Sequence, residues 1–88
     1  MIEESRLRRM QFRAWHRGTK EADLLIGGFF DKYARGWTTA QADWFETLLD
    51  EEDVDIMSWA IGTAAPPAPF QGELMQAMQA LDYIPIAP

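Results

Sequence analysis

Residues 15–23 hold the highest density of groups that could do chemistry, in the order Trp15-His16-Arg17-Gly18-Thr19-Lys20-Glu21-Ala22-Asp23. Arg17 and Glu21 are four residues apart, a spacing that allows an ion pair if the turn is helical. Gly18 leaves the surface beside it uncovered and can adopt backbone conformations that other residues resist. A glycine between an arginine and a helix start can also bring backbone amides and a guanidinium close to a partner's carboxylate or phosphate. The segment therefore has two interpretations, a corner between two helices or a docking site.

The chain lacks the groups that catalysis or a bound cofactor would need. It contains no cysteine, which excludes disulfides, thiolate zinc sites and iron–sulfur clusters, and His16 is its single histidine. The scattered carboxylates give no converging set of acid, base and nucleophile. No Gly-x-Gly-x-x-Gly turn is present to hold the pyrophosphate of a dinucleotide such as FAD. We therefore expect a protein that is not an enzyme and binds no metal or cofactor stably.

The run Asp50-Glu51-Glu52-Asp53 is the densest group of carboxylates. It lacks the alternating ligands, central glycine and distal glutamate of a calcium-binding loop. Carboxylates are favourable near the N-terminus of a helix, where the backbone dipole presents positive charge. We therefore expect Asp53 to be the N-cap of a helix.

Charge is divided along the chain. Residues 1–35 contain all eight basic residues and five acidic residues, a net charge of +3, whereas residues 36–88 contain nine acidic residues and no basic one. This division predicts two faces of opposite potential that could orient a partner, although a solvated surface that only maintains solubility is the alternative. Nucleic acid is disfavoured as a partner because the acidic half would repel phosphates.

The elements that must position these groups are predicted to be helices, since β-branched residues are few and strict alternation of apolar and polar residues is absent. At 88 residues the chain has room for one domain, residues 1–88. Thr19 can cap one helix, and Thr38 with Gln41 has the spacing of a capping box at the start of another. The expected fold is an all-α, compact bundle of about five short helices, at about residues 4–16, 19–34, 38–49, 53–62 and 71–82.

Apolar residues at helical spacing are expected on one side of these helices: Leu7, Met10 and Ala14; Trp44, Phe45, Leu48 and Leu49; Val54, Met57 and Ile61; Leu74, Met75, Met78 and Leu81. Gly27-Gly28 interrupts the second helix and indicates a break, a kink or, as we favour, a close approach of another backbone. Residues 63–70 are a proline-rich connector that returns Phe70 to the core. Residues 83–88 are expected to form a loose tail.

No apolar run approaches the ~20 residues that a membrane-spanning helix needs. Glu3 and Glu4 argue against a transit peptide, and Arg13 and His16 interrupt the apolar stretch that a signal peptide would require. We expect a cytoplasmic bacterial protein that does not insert into membranes and is a monomer when free.

The segment Arg17-Gly18-Thr19-Lys20-Glu21 resembles the Arg-Gly-x-x-Glu signature of the SdhE/YgfY family, called succinate dehydrogenase assembly factor 2 in mitochondria. The context of the signature is similar too, with an arginine-rich helix before it and Asp23-Leu24-Leu25-Ile26-Gly27 after it. Phe45-Glu46-Thr47-Leu48-Leu49 and the segment from Asp53 to Trp59 resemble the family's second half in order and spacing. The resemblance covers residues of about 6–62 and does not extend to the connector or the fifth helix.

The resemblance implies a helical bundle that acts as a chaperone-like assembly factor, promoting covalent FAD attachment to the flavoprotein subunit of succinate dehydrogenase. Whether the fumarate reductase flavoprotein is also a client is left open. The histidine that becomes linked to FAD belongs to the client, so His16 does not have that role. The residues expected to bind the client are Arg17, Gly18 and Glu21 at the centre, with Lys20, Asp23, Trp15, Arg13 and His16 around them.

A second hypothesis is a different kind of binding module. In this alternative an acidic, antitoxin-like protein neutralises a basic partner through residues 43–55, and Arg17 is dispensable.

Overall fold

The computed structural model describes residues 2–84 and contains five α-helices and no strand in that range, which confirms the all-α fold. The helices are α1 (Glu4–Trp15), α2 (Lys20–Tyr33), α3 (Thr39–Leu48), α4 (Asp53–Ile61) and α5 (Glu73–Gln79). Two short 3-10 helices, Ala34–Gly36 and Ala68–Phe70, lie in the connections. No helix within the described range is long and apolar enough to cross a membrane.

The helix boundaries follow the predicted capping signals with one exception. The Thr19 hydroxyl accepts a hydrogen bond from the Ala22 amide, and Thr38 and Gln41 form both hydrogen bonds of a capping box. Asp53, however, is the first residue of α4 and makes no cap hydrogen bond to the helix, so its predicted N-cap role is wrong. Its carboxylate instead binds Arg17, more than thirty residues earlier in the chain.

The core is centred on α2, which packs against α1 and α4, while α4 also packs against α5. Phe29 lies at its middle, with the rings of Trp37, Phe45 and Tyr83 within 6.0 Å of its own. Such aromatic pairs add stabilisation beyond the area they bury, which suits a chain with few core positions. The radius of gyration of 12.1 Å is that of a compact chain of this length.

Most of the predicted apolar stripes are buried, and α4 is the exception. Val54 is 73% exposed and Ile61 is 56% exposed, whereas Ile56 and Trp59 are buried and Phe70 packs on Trp59. α4 therefore buries the side that carries Ile56, Trp59 and Ala60, while its first turn is tied to Arg17 through Asp53. The proline-rich connector does return Phe70 to the core, as predicted.

The two adjacent glycines of α2 are sites of close approach, Gly27 to a side chain and Gly28 to both the ring and the backbone oxygen of Tyr83. A Cβ atom on Gly27 would lie 2.3 Å from the indole of Trp15, and one on Gly28 would lie 3.2 Å from the ring of Tyr83. Tyr83, the first residue of the predicted loose tail, is therefore packed, and its hydroxyl donates a hydrogen bond to the Met78 carbonyl. Residues 85–88 of that tail lie outside the described range.

Candidate functional site

The Arg-Gly-x-x-Glu segment forms the corner between α1 and α2. α1 ends at Trp15 and α2 begins at Lys20, so residues 16–19 form a tight non-helical turn. Gly18 has a φ of +114°, in the region that strains any residue with a Cβ atom. No atom lies within 4 Å of the position that a Cβ would take there, so the turn needs glycine for its backbone and not for space inside the bundle.

Arg17 is turned into the protein and binds the loop between α3 and α4. Its Nε lies 2.6 Å from Asp53 Oδ1, and its two terminal nitrogens donate to the carbonyl oxygens of Leu49 and Glu51 at 2.9 and 3.0 Å. Only 10% of the side chain is exposed. A guanidinium can serve three acceptors at once because its donors lie in a planar fork.

Arg17 and Glu21 do not form the ion pair that their four-residue spacing allowed. It required a helical turn, and the backbone between them is not helical until Lys20. Arg17 pairs with Asp53 instead, while Glu21 is exposed at the start of α2.

Two other predicted site residues fix the corner from the inside. Asp23 Oδ1 accepts a hydrogen bond from the Arg17 amide at 2.7 Å, which ties the turn to the first turns of α2. Trp15 lies flat against Gly27, where the absence of a side chain makes room for its indole. The turn that presents Gly18 is therefore held by its own backbone, by α2 and by the α3–α4 loop.

Gly18, Lys20 and Glu21 form the outer surface of this corner. All three are exposed, and neither charged side chain makes a hydrogen bond or ion pair with another described residue. A shallow depression beside them is lined by Trp15, His16, Gly18, Thr19, Lys20, Asp23 and Leu24. The corner is thus accessible to another protein. Its centre presents the Gly18 backbone and the exposed side chains of Lys20 and Glu21.

Arg13 and His16 have partners within the chain. Arg13 pairs with Asp50 at 2.7 Å, and both side chains are well exposed. His16 stacks on Phe12, and its Nδ1 lies 2.6 Å from the Phe12 carbonyl oxygen, to which a protonated Nδ1 donates. Both residues border the corner, but they are less free to rearrange than Lys20 and Glu21.

The prediction of two separate faces of opposite charge is wrong along the line where α1 meets α3. There the basic and acidic segments face each other, and Arg6 pairs with Asp43 at 2.6 Å and with Glu46 at 3.0 Å. The hydrogen bonds to these two carboxylates raise the pKa of the Arg6 guanidinium. Basic residues of the first half of the chain are therefore paired with acidic residues of the second half.

The partners of Arg17 were not predicted from the sequence, which assigned Asp53 to helix capping alone. Arg6, Arg13 and Arg17 pair with acids that lie 37, 37 and 36 residues later in the chain. Glu46 follows Arg9 at the same offset but pairs with Arg6, so this spacing alone does not identify the partners.

The described residues contain no group of three or more histidine, cysteine or acidic side chains placed to hold a metal ion. They also contain no strand, so the strand–turn–helix unit that holds a dinucleotide pyrophosphate does not fit residues 2–84. Within this range, the corner offers an exposed surface for contact.

Two curated assembly factors are similar to this chain. The chain is 40% identical over 63 residues to the FAD assembly factor SdhE of Acetobacter pasteurianus, covering 72% of this chain and 58% of that protein. It is 35% identical over 78 residues to succinate dehydrogenase assembly factor 2-B, mitochondrial, of Drosophila willistoni, covering 86% of this chain and 50% of that protein. It therefore spans little more than half the length of these two curated relatives.

A family model described as "Flavinator of succinate dehydrogenase" matches residues 8–82, a range that includes the whole corner and all the residues that hold it. On this match the chain belongs to the family of flavinators of succinate dehydrogenase.

Proposed function

We propose that this protein is an assembly factor that promotes covalent attachment of FAD to the flavoprotein subunit of succinate dehydrogenase. The observation that carries the proposal is the family match over residues 8–82, which includes an accessible corner built around Gly18. In this proposal the FAD is held by the client.

The chain's own contribution is to bind and orient the client. Arg17, Asp23 and Asp53 hold the turn rigid, so that Gly18, Lys20 and Glu21 present the same surface to each client molecule. Holding two reacting groups of the client in position can lower a barrier by up to about 7–11 kcal/mol without a catalytic group from the helper. The absence of a converging acid, base and nucleophile in the sequence supports this non-catalytic role.

The acidic, antitoxin-like alternative has fewer free carboxylates than the sequence suggests. Of the seven carboxylates within residues 43–55, four are paired with arginines of α1 or of the corner: Asp43, Glu46, Asp50 and Asp53. A basic partner would have to break these pairs, whereas a client of the corner would not.

The test is to express the flavoprotein subunit with and without this chain and to measure covalent flavin by in-gel fluorescence. We expect strong fluorescence with the wild-type chain, and loss of it with Gly18→Arg, whose side chain would cover the corner. Gly62→Arg is the matched control, because Gly62 also has a positive φ, +95°, and open space beside it but lies at the end of α4.

Both variants replace a glycine of positive φ, so their unfolding midpoints, measured beside flavin attachment, separate a lost surface from lost stability. If Gly18→Arg supports full flavin attachment, the corner is not the docking site. If the wild-type chain gives no increase in covalent flavin, the proposed function itself is wrong. Replacing the client with the flavoprotein of fumarate reductase in the same assay tests the second client. The cytoplasmic location and the monomeric state expected from the sequence stay predictions.

A further inference from the structure

The outer face of α1 carries an exposed aromatic side chain that neither the core nor the corner uses. Phe12 is 63% exposed, and it lies on the side of α1 opposite to the buried Met10 and Ala14. A large apolar group that stays in water gains nothing for the fold, because its burial would contribute about 1.5–3 kcal/mol elsewhere. A partner that covers the ring would gain this burial.

The Phe12 ring is held in place by the histidine of the corner. The rings of Phe12 and His16 are stacked, with centroids 3.9 Å apart and planes inclined by 17°. The hydrogen bond from His16 Nδ1 to the Phe12 carbonyl fixes the histidine ring against the same turn of helix. An aromatic side chain that is already immobilised loses little conformational entropy when a partner binds it, which favours its use as an anchor.

The surroundings of Phe12 are basic. A shallow depression next to it is lined by Ser5, Arg8, Arg9, Phe12 and Arg13. Arg8 and Arg9 are exposed, and neither is within ion-pair distance of a carboxylate among residues 2–84. In an otherwise acidic protein of net charge −6, these two guanidinium groups remain available to an acidic partner.

This face is continuous with the docking corner. His16, which supports Phe12, also lines the depression beside Gly18 and a second depression that contains Val54. Val54 is 73% exposed, so apolar surface borders the corner on the α4 side as well. A partner that covers Gly18 can therefore also contact Phe12 through one continuous surface.

We propose that Phe12, supported by His16, is an apolar anchor for the client flavoprotein, and that an acidic segment of the client binds Arg8 and Arg9. This inference rests on the proposed function and extends the docking site along α1. A second copy of the chain fits less well, because a symmetric contact through this face would bring four unpaired arginines together.

The test is a titration of the isolated flavoprotein subunit with the wild-type chain, Phe12→Ala and Phe12→Leu. We expect Phe12→Ala to weaken binding by about tenfold or more, as is typical of a central aromatic residue in an interface, and Phe12→Leu to restore part of the affinity. Ile61→Ala is the matched control, since Ile61 is similarly exposed but lies at the far end of α4, about two turns beyond Val54. This change should leave the affinity unchanged. The ring is exposed, so the unfolding midpoint of Phe12→Ala should match that of the wild type.

The basic part of the surface is tested by salt. The double variant Arg8→Ala/Arg9→Ala should bind more weakly at low ionic strength and show a smaller loss of affinity as salt is added. Affinity of Phe12→Ala within twofold of wild type would overturn the inference while leaving the proposed function intact. Self-association of the wild-type chain that Phe12→Ala abolishes, with client binding unchanged, would identify a second copy as the occupant and also overturn it. If the wild-type chain fails to bind the flavoprotein at all, the proposed function fails with it.

Discussion

Arg17 and Asp53 join the two halves of the chain through a contact of 2.6 Å between Nε and Oδ1. The first residue of the Arg-Gly-x-x-Glu segment thus acts within the protein, where it fixes the α3–α4 loop against the corner. The glycine and the glutamate of the same segment face outward. Within one short signature, one member supports the surface that the others present.

Removing the Arg17 side chain should destabilise the protein. Arg17→Ala leaves the carbonyl oxygens of Leu49 and Glu51 and the Asp53 carboxylate without their donor, and we expect the free energy of unfolding to fall by about 2–4 kcal/mol. Urea unfolding of Arg17→Ala, Asp53→Ala and the double variant should give a coupling energy of about 1–3 kcal/mol.

The exposed pair of Arg13 and Asp50 is the control for this cycle, and its coupling should be below about 1 kcal/mol. A loss of less than 1 kcal/mol in Arg17→Ala would contradict the structural role of Arg17. Because of this role, loss of client binding in Arg17→Ala alone would not show that Arg17 touches the client.

Gly27→Ala should destabilise the protein even though alanine favours helices by about 1 kcal/mol over glycine. The new Cβ would lie 2.3 Å from the Trp15 indole, which must then leave its place against α2. We expect a net loss of at least about 1 kcal/mol and a change in tryptophan fluorescence. Thermal unfolding of Gly27→Ala and of a control, Gly36→Ala, measures the effect. Gly36→Ala should be neutral, because its added methyl group meets no atom within 4 Å. A stabilised Gly27→Ala would show that the indole does not pack there.

Thr38→Ala should lower the free energy of unfolding by about 0.5–2 kcal/mol, because it removes the acceptor for the Gln41 amide at the start of α3. Thr39→Ala changes the neighbouring exposed threonine, which is not the cap, and should have a smaller effect. Chemical denaturation of both variants compares them directly. Equal effects would mean that the capping box contributes nothing measurable.

Asp82 should stabilise the protein in a way that depends on pH. Its hydrogen bond with Lys32 lowers the pKa of the Asp82 carboxyl, and Lys32 and Tyr33 both lie within bonding distance of it. A carboxyl whose pKa is lower in the folded state stabilises the fold above its unfolded pKa, which is about 3.9, and this contribution is lost as pH falls through the folded value. Asp82→Asn should therefore be slightly less stable than wild type at pH 7, and the difference should shrink as the pH falls below about 4. A difference that is constant down to pH 2 would contradict the pairing.

The sequence by itself determined the local structure of this protein. Helix periodicity, the caps at Thr19 and Thr38 and the stop at Gly62 depend on residues within one or two turns of each other, so their physical causes are visible in a short stretch of sequence. The exposed corner at Gly18 also followed from the residues of the turn and from the family signature that they resemble.

Only the tertiary structure decided the partners of the charged groups and the apolar residues left in water. Arg17 could be matched to Glu21 by spacing, but its three acceptors, two carbonyls of the α3–α4 loop and the carboxylate of Asp53 in α4, come close only in the folded chain. In the same way, helical spacing placed Val54 on an apolar stripe, yet the rotation of α4 exposes it. Which side of a helix is buried depends on what packs against it, and that is a property of contacts between segments far apart in the chain.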